Sequence, residues 1–173
     1  MISYTDTPDF PCVISKFEKH TQLKNDIIKA IRKTSSTLVN KPDEVINTDW
    51  YADKNIIKYY LATLLEPFSH HMKGVFDRLR HKEITYIDFW FTEYKKNYKY
   101  YKHQHLKTSW VSIYYLQLPK NTPITNFHNI FNDDVFIPKI KEGDIFTFPG
   151  FVWHWSPVNL SNKNKIVISC NVA

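Results

Sequence analysis

The chain has 173 residues, of which 23 are Lys or Arg and 17 Asp or Glu, giving a formal net charge of +6, and 43% are hydrophobic. That length suits one domain with a sizeable core, and no Pro-, Gly- or Ser-rich linker divides it, so a single domain over residues 1–173 is expected. No apolar run approaches the roughly twenty residues that span a bilayer. Met1-Ile2-Ser3-Tyr4-Thr5-Asp6 lacks a basic segment followed by an apolar one. The expectation is a soluble, unsecreted, cytoplasmic protein with no membrane partner. Cys12 and Cys170 are too few for a disulfide framework and read as buried thiols in a reducing compartment.

The N-terminal half has helical periodicity. Thr21 is placed to cap a helix in which Leu23, Ile27, Ile28 and Ile31 form one apolar face. A longer segment follows, with Ile56, Tyr60, Leu64, Phe68, Met72, Val75 and Leu79 at helical spacing, and Pro67 is expected to begin a new turn or kink it. His70 and His71 are adjacent and diverge by about 100 degrees on a helix, so they are poorly placed to share a metal. Together with His20, His81 and His128 they read as surface or packing residues.

After Ile84 the period changes to two. Tyr86, Asp88 and Trp90 alternate with Ile87, Phe89 and Phe91, and Trp110, Ser112 and Tyr114 with Val111, Ile113 and Tyr115. Helices followed by a run of strands predict an α+β domain, with residues 1–83 as mainly helical support packed on one face of an antiparallel sheet built from residues 84–173. With three glycines in the chain, turns rely on Asn, Asp and Pro, as in Lys120-Asn121-Thr122-Pro123 and Asn132-Asp133-Asp134. The stretch Lys95-Lys96-Asn97-Tyr98-Lys99-Tyr100-Tyr101-Lys102 interleaves cations with tyrosines, as single-stranded nucleic-acid binders do. A solvated loop is the preferred reading of it. Because it runs into His103, it also qualifies as the rim of a site that meets an acidic or aromatic substrate.

The candidate chemistry lies in the last seventy or so residues. His103 and His105 point the same way if their segment is extended. His154 follows a Gly143-Asp144 turn and the apolar run Ile145-Phe146-Thr147-Phe148, which reads as a buried strand whose end a rolled sheet would bring against His103. An oxygen-activating mononuclear iron uses three protein ligands on one face and keeps the others open. Against this stand an exposed loop pair beside Lys102 and Lys107 for His103 and His105, and a core histidine between Trp153 and Trp155 for His154. Trp90, Trp110, Trp153 and Trp155 either line a cavity or fill the core.

The order Asp88-Phe89-Trp90-Phe91-Thr92-Glu93-Tyr94, His103-Gln104-His105, Ile113-Tyr114-Tyr115-Leu116, Gly143-Asp144-Ile145-Phe146-Thr147-Phe148-Pro149, His154 and Lys165-Ile166-Val167-Ile168-Ser169-Cys170-Asn171 resembles the Fe(II)- and 2-oxoglutarate-dependent oxygenases. The likeness is to the prolyl-hydroxylase-like branch with its small phage and marine-bacterial members, and it runs from about Ile84 to the C-terminus. It implies a double-stranded β-helix, a jelly-roll of the cupin type, whose two sheets sandwich the metal. It also implies His103, His105 and His154 as metal ligands, Tyr115 and Lys165 as partners of the distal carboxylate of 2-oxoglutarate, and Ser169 as a hydroxyl supporting that contact. Two positions depart from the usual pattern. His105 stands where a carboxylate is common, leaving the Fe(II) charge to the co-substrate, with Asp133 and Asp134 as the nearest alternative carboxylates. Lys165 stands for arginine, a point charge in place of a bidentate fork.

The implied activity is hydroxylation of a C–H bond, with O2 and 2-oxoglutarate consumed and succinate and CO2 released, on a small-molecule or peptidyl substrate of amino-acid or prolyl-like kind. It would take place in the host cytoplasm if the chain is phage-encoded. Two alternatives stay open: a three-histidine cupin-type dioxygenase that does not use 2-oxoglutarate, and an inactive jelly-roll that binds protein or nucleic acid through the Tyr/Lys rim. The sequence leaves the oligomeric state and the primary substrate open.

Overall fold

The period-two half of the chain closes into two facing sheets in a computed structural model that describes residues 4–5, 7–35, 47–53, 55–132 and 134–173. The elements in chain order are β1 (Tyr4–Thr5), β2 (Val13–Lys16), α1 (His20–Ser35), β3 (Asn47–Thr48), α2 (Tyr59–Arg78), β4 (Tyr86–Tyr94), β5 (Tyr100–His103), β6 (Trp110–Gln117), β7 (Asn126–His128), β8 (Val135–Phe136), β9 (Asp144–Pro149), β10 (His154–Ser156) and β11 (Lys165–Val172). The larger sheet has the order β2-β9-β6-β11-β4-β3 and the smaller β1-β8-β7-β10-β5. Every pairing is antiparallel except β1 with β8. Two helices on one face of a two-sheet jelly-roll make the expected α+β double-stranded β-helix.

Alternation along the central strands decides which residues face the helices and which face the cavity. Phe89, Phe91, Tyr114, Leu116, Ile145, Ile166, Ile168 and Cys170 pack outward against Ile27, Ile31, Tyr60, Leu64, Phe68 and Met72 of the two helices. Their neighbours Tyr94, Val111, Ile113, Tyr115, Phe146, Phe148 and Val167 point inward and meet Phe127 and Phe136 of the smaller sheet. Aromatic pairs knit this inner layer, Phe127 lying 4.7 Å from Phe146 and 4.8 Å from Phe148 in edge-on contact.

Two expectations are corrected. Helix α1 begins at His20, one residue before the proposed Thr21 cap, because the Lys19 carbonyl already accepts the Leu23 N–H at 3.0 Å. Pro67 does not start a new turn: α2 runs through it without interruption. An interior proline costs about 3 kcal/mol, whereas each large side chain that α2 buries contributes roughly 1.5–3 kcal/mol, and six are buried. Residues 1–83 also supply strands as well as helices, since β2 extends the larger sheet beside β9 and β3 pairs with β4. Pieces of two to four residues are too short to carry a readable period. Cys170 is buried as expected, while Cys12 is half-buried, and both are free thiols. Among the described residues no helix is long and apolar enough to cross a membrane.

Candidate active site

The smaller sheet brings the three histidines together by long-range pairing. His103 ends β5, His154 begins β10, and the two are direct cross-strand partners. His105 lies beyond the strand, in the turn before β6, so period-two geometry is not what aims it. Its N–H donates to the Gly150 carbonyl at 2.7 Å, tying the turn to the one that follows β9. A Cβ on Gly150 would stand 2.4 Å from the Thr108 carbonyl oxygen and 2.6 Å from that of His105, so only glycine allows this approach. One ligand-capable atom from each of His103, His105 and His154 lies within 4.8 Å of the others. Asp134 is in the β7–β8 connection, its N–H bonded to Asn132 Oδ1, and outside this cluster, while Asp133 falls outside the described residues.

The rings are oriented for coordination. His103 Nδ1 is 2.8 Å from the Tyr101 carbonyl and His154 Nδ1 is 3.0 Å from the Val152 carbonyl. A carbonyl only accepts, so each Nδ1 carries the proton and each Nε2 presents a lone pair. His105 stacks on Trp90 at 5.6 Å, and its buried Nε2 closes no hydrogen bond. Burial pushes all three imidazole pKa values down, His105 to about 4 with His103 adding to the effect, and His154 well below its ordinary value. All three are therefore neutral near pH 7, as metal ligands must be.

A cavity of about 160 Å³ runs from this cluster between the sheets, lined by Thr92, Tyr94, Ile113, Thr125, Ser156 and Ser169 among others. Lys165 and Tyr115 share the inward face of their strands with Ser169 and Ile113 and lie past the cavity's inner end. Lys165 is 0% exposed, whereas Lys163, two residues before it, is exposed. Its Nζ donates to Ser156 Oγ at 2.6 Å and to the Pro123 carbonyl at 3.0 Å and sits 4.2 Å above the Tyr94 ring. No carboxylate pairs with it among the described residues, and burial holds its pKa at about 7. The Tyr115 hydroxyl, beside Thr125, is buried and closes no hydrogen bond, and burial raises its pKa to about 12.

Several lining residues carry no clear sequence signal. Trp50, on the loop after β3, stands edge-on to Trp90 at 4.4 Å and joins it at the cavity mouth. Ser156 shares the face of His154 by period two, a signal that was available. Tyr94 and Tyr100 line the cavity from β4 and β5. Trp90 and Trp155 line it as well, whereas Trp110 packs against the helical core.

The donor set fits a divalent iron and a small dianion: three neutral imidazoles with orphaned or oriented Nε2 atoms at one end, and a lysine lacking a counter-ion and a tyrosine hydroxyl lacking a partner at the other. No protein-family model and no curated protein matches the chain. Solved structures do. An oxidoreductase of the 2OG-Fe(II) oxygenase family from Burkholderia pseudomallei superposes with a TM-score of 0.64 at 12% identity, over 98% of this chain and 95% of that one. The viral collagen prolyl hydroxylase of Paramecium bursaria Chlorella virus-1, solved with 2OG, gives 0.62 at 14% identity over 93% and 94%. A prolyl hydroxylase from Trichoplax adhaerens, in complex with a hypoxia inducible factor peptide fragment, gives 0.68 at 10% identity over 95% and 84%. At these identities the likeness establishes the fold, and the chain has the double-stranded β-helix fold found in 2OG-Fe(II) oxygenases.

Proposed function

We propose that this chain is an Fe(II)- and 2-oxoglutarate-dependent dioxygenase, a single domain over residues 1–173, that hydroxylates a C–H bond of an amino-acid or peptidyl, prolyl-like substrate. The observation that carries the reading is Lys165, a fully buried amine without a carboxylate partner among the described residues, held against Ser156 and Tyr94 of the cavity that also holds three converging imidazoles. A dioxygenase without 2-oxoglutarate has no distal carboxylate to neutralise, and an inactive binding module has no use for a cation buried at that cost.

In this reading His103, His105 and His154 hold the iron, and Lys165, Tyr115 and Ser169 hold the far carboxylate of 2-oxoglutarate. Bound there, the pair supplies oxygen activation, with the keto acid oxidised to succinate and CO2 and one oxygen atom delivered to the substrate carbon. The protein's own work is alignment and exclusion. The Tyr101 and Val152 carbonyls fix the His103 and His154 tautomers. Lys165 supplies charge with little direction, and Ser156, at 2.6 Å, restrains its ammonium, leaving orientation to the Tyr115 hydroxyl. Trp50 and Trp90 line the cavity beside His105 and give that end an apolar wall.

Anaerobic titration of the iron-loaded protein with 2-oxoglutarate tests this directly. A weak visible charge-transfer band is expected in the wild type and not in His154→Ala. An iron-loaded protein without the band would favour the three-histidine dioxygenase, and failure to hold iron would favour the binding module.

A further inference from the structure

Strand β5, which ends in His103, is the last strand of its sheet and pairs with β10 alone. Among the described residues no main-chain hydrogen bond from another segment reaches Tyr101, Lys102 or His103 on the opposite side, and the Tyr101 carbonyl accepts only from the His103 ring. An open edge is a template for an added strand, and natural proteins commonly guard such edges with lysine. Here the guard is one-sided in charge. From Tyr94 to Asn132 the chain has no Asp or Glu, while Lys95, Lys96, Lys99, Lys102 and Lys107 flank the edge, all exposed. Asp53, on the loop that carries Trp50, is the exposed carboxylate nearest in sequence to the mouth, and its Oδ1 accepts the Asn55 N–H at 2.8 Å. Lysines that repel a basic strand and offer nothing to a neutral one attract an acidic one.

We infer that an extended acidic polypeptide segment docks along the open edge of β5, adding a strand beside Tyr101–His103 with its carboxylates against the flanking lysines, and so delivers its target residue to the three-histidine cluster. The docking rests on the strand edge and the lysines; only the delivery rests on the proposed oxygenase function. A single-stranded nucleic acid fits less well, although the rim interleaves Lys and Tyr. Lys99 stands 5.1 Å over the Tyr101 ring and Lys102 5.9 and 5.6 Å over Trp153 and Trp155, so a stacking base would compete with these cations for a ring face. No arginine follows residue 80, so the rim has no guanidinium fork for phosphate. A free main-chain edge, moreover, reads a peptide and not a sugar-phosphate backbone.

The test is fluorescence anisotropy with short fluorescein-labelled peptides that alternate Thr with Glu, Gln or Lys, and with oligo(dT), at two salt concentrations. The Glu peptide is expected to bind at least ~10-fold more tightly than the Gln peptide, with the difference shrinking at high salt. Lys99→Glu/Lys102→Glu should reverse the preference while Co(II) uptake stays unchanged. Hydrogen exchange on the wild-type protein should show amide protection on β5 when the Glu peptide is added, a result that does not depend on the variant folding. Equal affinity for Glu and Gln peptides, tighter binding of oligo(dT), or protection that spares β5 would overturn the inference. None of these readouts uses turnover. A protein that binds the Glu peptide but gives no 2-oxoglutarate band loses the oxygenase reading and keeps the docking one.

Discussion

Lys165→Met keeps the length and apolar stem of the side chain and removes the ammonium, and it should make the protein more stable while destroying co-substrate binding. Burial lowers the amine's pKa from its ordinary 10.5 to about 7. The groups facing it are the Tyr94 ring, the Ser156 hydroxyl and the Pro123 carbonyl, with no carboxylate among the described residues. At 1.36 kcal/mol per pH unit, burying the amine costs about 4 kcal/mol at pH 7, and its two hydrogen bonds return about 2 kcal/mol. The variant should therefore gain about 2 kcal/mol, or roughly 4–8 °C in Tm for a domain of this size. The unfolded chain keeps the proton up to 10.5 whereas the folded one releases it near 7, so this cost is fully present below pH 7 and fades as pH rises toward 10.5. The stability gap between variant and wild type should narrow accordingly in melts run from about pH 6 to 9.5. Calorimetric titration should show wild-type affinity for 2-oxoglutarate falling about tenfold per pH unit above 7, as the complex must take up a proton, and no measurable affinity in Lys165→Met. A variant less stable than wild type at pH 7 would refute the energetic argument, and one that retains 2-oxoglutarate affinity would refute the anchoring role.

Other perturbations address the metal end and the scaffold. His105→Asp places a negative charge in the donor set, so Fe(II) affinity without 2-oxoglutarate should rise, read by equilibrium dialysis; a fall would mean the neutral set is what the site requires. Gly150→Ala forces a Cβ into the Thr108 and His105 carbonyls. It should cost about 2 kcal/mol or more and weaken Co(II) binding at least ~10-fold by displacing His105. Unchanged metal affinity would separate the turn from the site. Glu93 is 1% exposed; burial pushes its pKa up, but hydrogen bonds from Arg32 (2.5 and 2.7 Å), Asn47 (2.9 Å) and Asn164 (2.8 Å) outweigh it and hold the pKa below the usual range. Its contribution is present above pH 4.5 and lost as pH falls through the lowered folded value. Glu93→Gln should cost about 2–3 kcal/mol in urea unfolding, the lower figure reflecting a half-exposed Arg32, with a flatter acid limb. An acid limb identical to wild type would assign the acid transition to another group.

The alternation in β4 and β6 was legible because each strand runs for eight or nine residues, long enough for both faces to be read. The meeting of His103 and His154 was legible only as an order of motifs. Their pairing spans fifty residues of chain and depends on how two sheets close. His105 shows where local reasoning fails. A period-two argument put it on the face of His103, but a turn held by Gly150 aims it instead. Trp50 escaped notice because it sits on a loop after a strand of two residues, with no pattern around it. Lys165 was singled out by the resemblance, and no local pattern shows that it is buried. Its burial follows from register, since β11 is covered on both sides by β4 and β6 and its inward face has no solvent to reach.

Several unmet polar groups gather around the cavity. His105 Nε2 and the Tyr115 hydroxyl are two of the four buried polar side-chain atoms that lack hydrogen bonds among the described residues, and each such group costs about 1–3 kcal/mol. With about 4 kcal/mol for Lys165, the sum approaches the roughly 5–15 kcal/mol of net stability a domain possesses. Elsewhere the same chain buries charge only with partners: Glu93 has Arg32 and two asparagines, and Asp49 has Tyr60, the Phe91 N–H and Lys58. Two of the four unmet atoms and the unpaired amine gather near one cavity, where a ligand can meet them, while Tyr86 Oη and Asn171 Oδ1 are the other two. A cation with an orphaned hydroxyl nearby defines a carboxylate, and converging imidazole nitrogens define a metal. Binding both would recover the desolvation cost as ligand-linked stability. These unmet groups suit the proposed metal and dicarboxylate without reference to any likeness to other folds.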